Sequence, residues 1–465
     1  EVRHLGELYE NILEYTVLLA DADRIRRRSK KGVDILLASH TTKQPGDTLI
    51  KKGNVYFGES ALERKQTGSF YTPESIVKFL NTKSIVNPLT AIFEEKYRAR
   101  FDEFIEQAVT GYDENTRRGA AQSAAALVDR FVEEDLLSFT VCDPAMGSGH
   151  FLVDAANQIT GVVISLLAEI PFVEGMAVQK TSGPNYWRRR ITRHTIYGVD
   201  LNPLAVDLAK LSLWLNSFAG EHKLTFLDHH LRCGNSLIGI RSLEALNSIP
   251  KRKKDKKKEL QPLLFDFDDV SGAWSEASQE IRAISTADED DTERQRELLT
   301  TAEGQVTKVR HLADLYTAFL MDPTISPEEY KELFELLAEG KEIQGSFYQS
   351  LPAIAEVTQQ YRDGHHFFHW PLEFPDVFGP EATGGFSGTV GNPPWDIVKP
   401  NSQEFFSNYD KDFRSYKKQE ANRASKELME KNPTIAARWD LYCRRIGEQS
   451  TYYRGPDSYT SLGKG

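Results

Sequence analysis

The stretch "SFTVCDPAMGSGHFLVDAANQI", Ser138 to Ile159, decides the fold, because it reads as a strand, a Gly-rich turn and a helix in immediate succession. Gly147 and Gly149 permit a tight turn and a close approach of backbone to a ligand, and the helix that follows offers unpaired N–H groups in its first turn. A second unit repeats the order, with "TIYGVD" at 195–200 as strand and "NPLAVDLAKLSLWLNSF" at 202–218 as helix. "LTFLDHHLRCGNSLIG" at 224–239 adds a third strand with a polar end. Strands alternating with helices specify an α/β chain, a doubly wound and mostly parallel sheet wrapped on both faces.

Working outward, "LGELYENILEY" places Leu5, Leu8, Ile12 and Leu13 on one helical face and predicts an N-terminal helical region over 1–66. The basic "RIRRRSKK" at 24–31 reads as a solvated loop edge. In "GSFYTPESIVKFL" Thr72 is placed to cap a helix with Pro73 at its first position. An Ala-rich helix covers about 119–136, and the first part of the core spans 67–240. From 241 to 365 the chain is charged and helical in pattern, a large helical insertion carrying "KRKKDKKK" at 251–258 and "ADEDDTE" at 287–293. The sheet resumes over 366–400 with "GGFSGTVGNPPW", and a polar, helix-rich tail runs over 401–465.

With 465 residues, 40% of them hydrophobic, the chain can bury a sizeable core in two or three domains. The apolar run "GVVISLLAEI" is interrupted by Glu and falls short of a membrane span, so no membrane partner and a cytoplasmic location are expected. The chain opens on Glu1 and closes on "YTSLGKG", as an excerpt of a longer polypeptide would. Cys142, Cys233 and Cys443 are widely spaced, which predicts reduced thiols and neither disulfide framework nor zinc knuckle. The net charge of -11 argues against a uniformly basic coat, although positive charge gathers locally, as in "WRRRITR" at 187–193.

The turn after the first strand has the character of a nucleotide-type pocket. The phosphate-binding GxxxxGK[ST] pattern is absent, and Asp143-Pro144 sets a carboxylate where pyrophosphate would be repelled. A cofactor carrying positive charge suits that acid, and S-adenosylmethionine, with its sulfonium and ammonium groups, fits. Asp200, at the tip of the next strand, can accept both hydroxyls of a ribose, or it can cap the helix that follows. Asn235 in "CGNSL" can bond an adenine edge; as a turn residue it would look the same.

In order along the chain, "GSFYTP", "DPAMGSGHF", "GVDLNPLA", "CGNSL" and "GNPPW" resemble the DNA methyltransferases that modify adenine N6. More closely, they resemble the gamma-class enzymes of combined type II restriction-modification proteins and of phage-defence systems such as DISARM and BREX. The resemblance covers roughly Leu5 to Asp396. It implies a Rossmann-like methyltransferase core, S-adenosylmethionine as cofactor, double-stranded DNA as substrate, and other subunits of a restriction or phage-defence complex as partners. Tyr71, Thr72 and Pro73 would close over the methionine part of the cofactor, while Asp143, Pro144, Ala145, Gly147, Ser148 and Gly149 cradle it. Asp200 would take the ribose, with Leu201 against the adenine ring, and Asn235 stands where many relatives have Asp.

By the same resemblance Asn392, Pro393, Pro394 and Trp395 are catalytic. Adenine N6 is a poor nucleophile because its lone pair is delocalised into the ring. If the Asn392 side-chain oxygen and the Pro393 carbonyl each accept one N–H, the nitrogen is drawn towards tetrahedral geometry and can attack the methyl in line. The two prolines hold the turn rigid and donate no hydrogen bond. Trp395 supplies a plate for an extruded base. No metal is required, and His229, His230, His365, His366 and His369 are expected to be structural. Two other readings stay open: a protein glutamine methyltransferase, which shares an NPPY-like turn, and a non-catalytic module that binds cofactor and DNA within a defence complex.

Overall fold

In a computed structural model the chain is described over residues 15–20, 23–29, 32–38, 43–59, 72–171, 183–217, 224–252, 267–288, 290–341, 350–379, 382, 384–395, 398–410, 413 and 416–455. It divides into two units, one made of Arg3–Tyr71 and Pro400–Asp440, the other of Thr72–Lys399 and Leu441–Gly465.

In the first unit the described residues of the expected N-terminal helical region form strands and turns, with no α-helix among them. β1 (Tyr15–Leu19), β2 (Arg24–Ser29), β3 (Gly32–Leu37), β4 (Thr48–Ile50) and β5 (Val55–Glu59) form two antiparallel sheets, β1 with β5 and β2 between β3 and β4. The physical reason is local: these segments are rich in β-branched and aromatic residues, and Gly46 and Gly53 sit at positive φ in the turns between them. The amphipathic face of Leu5, Leu8, Ile12 and Leu13 lies outside the described residues. Nor is "RIRRRSKK" a loop edge. Its first six residues are β2, with Ile25 buried and Arg27 forked onto Asp47 at 2.7 Å.

The second unit is helical around a small parallel sheet of four strands. Helices α1 (Glu74–Asn81), α2 (Asn87–Lys96), α3 (Arg98–Thr110) and α4 (Glu114–Phe131) lead into β6 (Val141–Asp143). Then come α5 (His150–Glu169), α6 (Pro184–Thr195), β7 (Ile196–Asp200), α7 (Pro203–Asn216) and β8 (Leu231–Cys233). The strand order is β8-β7-β6-β9, all parallel, where β9 is the short Gly388–Thr389. Successive side chains point to opposite faces. Val141 and Ile196 accordingly enter one apolar cluster, with α1 to α7, while Cys142, Tyr197 and Val199 enter another with Phe368, Phe374 and Val377. Both faces of the sheet are therefore covered, as a parallel sheet requires.

By length and composition alone α5 could cross a membrane, which the reading of "GVVISLLAEI" did not anticipate. Here Phe151, Leu152, Ala155, Ala156, Ile159 and Val163 are buried against the sheet and its neighbours, so its apolar stripe builds the core.

Between β8 and β9 the chain forms α8 (Phe267–Thr286), α9 (Thr292–Gln305), α10 (Thr307–Met321), α11 (Pro327–Glu339) and α12 (Leu351–His365). This segment is more than a solvated arm. Leu312, Phe319, Tyr330 and Phe334 form an apolar core that continues into Ile238 and Ile240 beside the sheet. The basic run on α6 clasps it: Arg193 is buried and donates to the carbonyls of Ile284 and Ala287 at 2.7 and 2.5 Å. Most of the lysine run, 253–258, lies outside the described residues. Two short helices, α13 (Trp370–Glu373) and α14 (Pro375–Phe378), return the chain to the sheet at β9. The tail forms α15 (Ser402–Phe406), α16 (Lys418–Lys431) and α17 (Pro433–Tyr453). Near the end of α17 the Tyr452 hydroxyl donates to the Gly239 carbonyl and accepts from the Gly239 N–H, at 2.7 and 3.1 Å.

Candidate active site

Because all four strands are parallel, their carboxyl ends share one edge, the edge at which open α/β sheets bind ligands. Asp143 ends β6, Asp200 ends β7, Asn235 lies two residues beyond β8, and Asn392 lies three residues beyond β9. Four segments distant in sequence are gathered there.

The turn after β6 is locked by its backbone. The Met146 N–H donates to the Val199 carbonyl, and the Gly147 N–H to Asp200 Oδ2 at 2.8 Å. Gly147 and Gly149 have φ of +53° and +79°, left-handed values that a side chain would strain. A Cβ on Gly149 would also lie 3.0 Å from that of Ala209 on α7. Pro144, Ala145 and Ser148 line the turn half-exposed, and the Ala145 N–H donates to Asp143 Oδ1 at 3.0 Å.

Asp200 also takes the Asn202 N–H at 2.8 Å, and the cap of α7 is Asn202 rather than Asp200, since Asn202 Oδ1 accepts from the Leu204 N–H. The capping reading of Asp200 is thereby set aside: its carboxylate ties β7 to the turn after β6. Both acids are buried, at 1% and 6% exposure, and among the described residues neither is paired with a cation. Burial, reinforced by the charge of Asp200, pushes the Asp143 carboxyl up to about 7, against the bond from Ala145. Burial likewise raises Asp200, opposed by its bonds from Asn202 and Gly147. Leu201 stands partly exposed beside it.

Asn235 behaves first as a turn residue. Its N–H donates to the His366 carbonyl at 2.7 Å and its Oδ1 accepts from the Leu237 N–H at 3.1 Å. Its amide oxygen thus braces its own turn at the end of β8.

The loop after β9 is held against this turn at one point. The Val390 N–H donates to the Cys142 carbonyl, and Gly391 follows at φ +149°, where a Cβ would fall 2.5 Å from Asp143 Oδ1. Only glycine lets the loop pass so close to the buried acid. The sequence offers a signal for it, a Gly directly after a strand, overshadowed by the more conspicuous residues that follow. Asn392 is half-buried, Pro393 and Pro394 are exposed, and Trp395 is 88% exposed. Among the described residues no backbone N–H donates to the Pro393 carbonyl.

Thr72 departs from expectation. The N-cap position of α1 is Pro73, without a side-chain capping bond, and the buried Thr72 accepts instead from Asn392 Nδ2 at 3.2 Å. Pro73 is rigid at φ -53°, so Thr72 is directed away from the helix end. Tyr71 lies outside the described residues. Of the histidines, His229, His230, His365 and His369 are buried and His366 is exposed. His229 and His230 are fully buried, their pKa values held well below the usual by burial. His365 and His369 meet Glu448 and Asp314 at 2.8 and 3.0 Å, and His366 ends α12.

A small parallel sheet covered by helices, with acids and a Gly-rich turn on one edge beside an Asn-Pro-Pro-Trp loop, defines an α/β protein of the methyltransferase-like class. Residues 194–426 match the family described as Eco57I restriction-modification methylase, and residues 119–237 match that described as MmeI, DNA-methyltransferase domain. The first match covers half of the chain, which belongs to the Eco57I restriction-modification methylase family. Over 393 residues, 75% of this chain, it is 24% identical to a Methanocaldococcus jannaschii protein named provisionally as a type II restriction enzyme and methyltransferase. The match spans 30% of that relative's length. No solved structure matches.

Proposed function

We propose that this chain is the catalytic core of a DNA adenine-N6 methyltransferase, built on a Rossmann-like sheet and using S-adenosylmethionine. The observation that carries the reading is the approach of Gly391 to Asp143, because it sets the Asn-Pro-Pro-Trp loop directly beside the turn assigned to the cofactor. Two buried carboxyls without a cationic partner among the described residues suit a ligand bearing sulfonium and ammonium charge. The left-handed glycines of the turn leave room for its close approach. In this reading Asp143, Pro144, Ala145, Gly147, Ser148 and Gly149 hold the cofactor with Tyr71, Thr72 and Pro73, while Asp200, Leu201 and Asn235 take its nucleoside. When bound, the cofactor supplies an electrophilic methyl group.

The chain's own residues supply the rest. Asn392 Oδ1 and the Pro393 carbonyl, which takes no backbone N–H among the described residues, each accept one N–H of the exocyclic amine, drawing its lone pair out of the ring. The prolines keep the two acceptors fixed, so little reorganisation is needed at reaction. Trp395 stacks on the extruded base. A proton leaves the methylated nitrogen for solvent, and no covalent intermediate on the protein is needed. Asn at the first position of the loop favours adenine over cytosine N4, and the partners that follow are duplex DNA and the remaining parts of a restriction or phage-defence system.

The test uses the full-length protein, cofactor labelled in its methyl group, and DNA from a host lacking adenine methylation. Label released by nuclease and recovered as N6-methyladenine is expected, with Asn392→Ala abolishing transfer while cofactor binding persists. Label released only by protease would replace this reading with amide methylation of a protein.

A further inference from the structure

The Asn392 amide is held at both ends. Its Nδ2 donates to Thr72 Oγ1 at 3.2 Å, and its Oδ1 accepts from Trp395 Nε1 at 2.9 Å. An indole N–H can only donate, so it fixes which end of the amide is oxygen. Thr72 is buried and Trp395 exposed, so the nitrogen is turned inward and the oxygen outward. Outward is the side from which a base must arrive.

We propose that Thr72 is a positioning residue for Asn392: its hydroxyl holds Nδ2 and so aims Oδ1 at the acceptor amine, while the Trp395 indole occupies that oxygen until the amine displaces it. This rests on the adenine-amine reading above, and it gives Thr72 a task separate from contact with the cofactor. The exchange is isoelectronic in hydrogen bonding. One N–H donor, the indole's, leaves Oδ1 as another, the amine's, arrives, and the freed indole is then able to lie on the base. No bond is made or broken in this step, and the amide does not rotate, because Thr72 keeps its other end throughout. Without the threonine hydroxyl, departure of the indole would leave the amide free to turn its NH2 towards the amine, presenting a donor to a donor. Pro73 is what makes the hydroxyl available, by occupying the cap position of α1 itself.

The experiment compares Thr72→Val, which keeps the shape and removes the hydroxyl, with Thr72→Ser, which restores it. Cofactor affinity is read by calorimetry and methyl transfer to DNA by single-turnover rate, both on the full-length protein. The expected result for Thr72→Val, read at saturating cofactor so that any change in cofactor affinity is separated out, is a transfer rate lower by about tenfold, the scale of one lost neutral hydrogen bond. Thr72→Ser should recover most of that rate. Full-rate transfer by Thr72→Val, or a fall explained wholly by weaker cofactor binding, overturns the role of Thr72 and leaves the adenine reading standing. Absence of transfer to DNA by the unaltered protein overturns the adenine reading, and this role with it.

Discussion

Two corners of the same sheet edge are built in opposite ways. The turn after β6 is fixed around a buried acid, its N–H groups answered by Val199 and Asp200 and its Gly149 wedged against α7. The loop after β9 projects two prolines and a tryptophan into solvent, steadied by one amide between Thr72 and Trp395. The difference matches what each corner would meet. On the proposed function a small cofactor would be served by a turn fixed in advance, since every degree of freedom frozen beforehand is one that binding need not freeze. On the same function a base drawn from a duplex would enter and leave past the loop, and an open corner with few contacts would suit that passage.

The largest effect is expected where the corners touch. Gly391→Ala sets a Cβ only 2.5 Å from Asp143 Oδ1, at a φ that alanine resists. The loop must shift, and a displacement on the order of 1 Å at a reacting centre costs on the order of 100-fold in rate. Methyl transfer should fall by about that factor in single-turnover assays, with some loss of cofactor affinity as the acid is disturbed. If cofactor affinity and transfer are both unchanged, the two corners are independent and the comparison fails.

Next in size is a pH effect belonging to the buried corner alone. Asp143 titrates near 7 in the free protein, whereas a cationic ligand beside it favours the ionised form. Below pH 7 the free protein holds a proton that binding must expel, so cofactor affinity should weaken by up to about tenfold per pH unit and level off above 7. Calorimetry in buffers of different ionisation enthalpy would register the released proton. Asp143→Asn should flatten the profile and weaken binding at pH 8. A flat profile in the unaltered protein would separate Asp143 from the cofactor.

Much of this edge was legible in the sequence because strand-turn-helix order leaves a local trace. The strands at Val141, Ile196 and Leu231 fall inside the segments read as strands, and parallel pairing then brings Asp143, Asp200 and Asn235 to one side without further information. What was not legible depends on contacts between distant segments. Thr72 looks like a cap because Thr before Pro usually is one, and only its meeting with Asn392, 320 residues away, reveals otherwise. Arg193 reads only as part of a basic run, and its burial shows only where it meets the carbonyls of Ile284 and Ala287. The strands at 15–59 are hidden when the helical period of residues 5–13 is extended past its own segment. β1 and β5 pair from Tyr15 with Glu59 to Leu19 with Val55, a separation beyond the reach of a periodicity window.

The smallest predicted effect sharpens the open corner. Trp395 would play two parts, an apolar plate for the base and a temporary donor to Asn392, and phenylalanine keeps the first while lacking the second. Removing the plate with Trp395→Ala should weaken DNA binding by the stacking contribution, about 1 to 3 kcal/mol. Trp395→Phe should cost far less, within about threefold, because the hydrogen bond it lacks exists only before the base arrives and has to be broken in any case. Losing that bond removes an interaction from the free protein rather than from the complex, which offsets part of the smaller stacking area. DNA affinity measured at one fixed salt concentration for both variants would decide it, since salt alone moves such constants widely. Should phenylalanine prove as damaging as alanine, the indole N–H is needed in the complex itself, and the contacts of the loop after β9 are then no more exchangeable than those of the turn after β6.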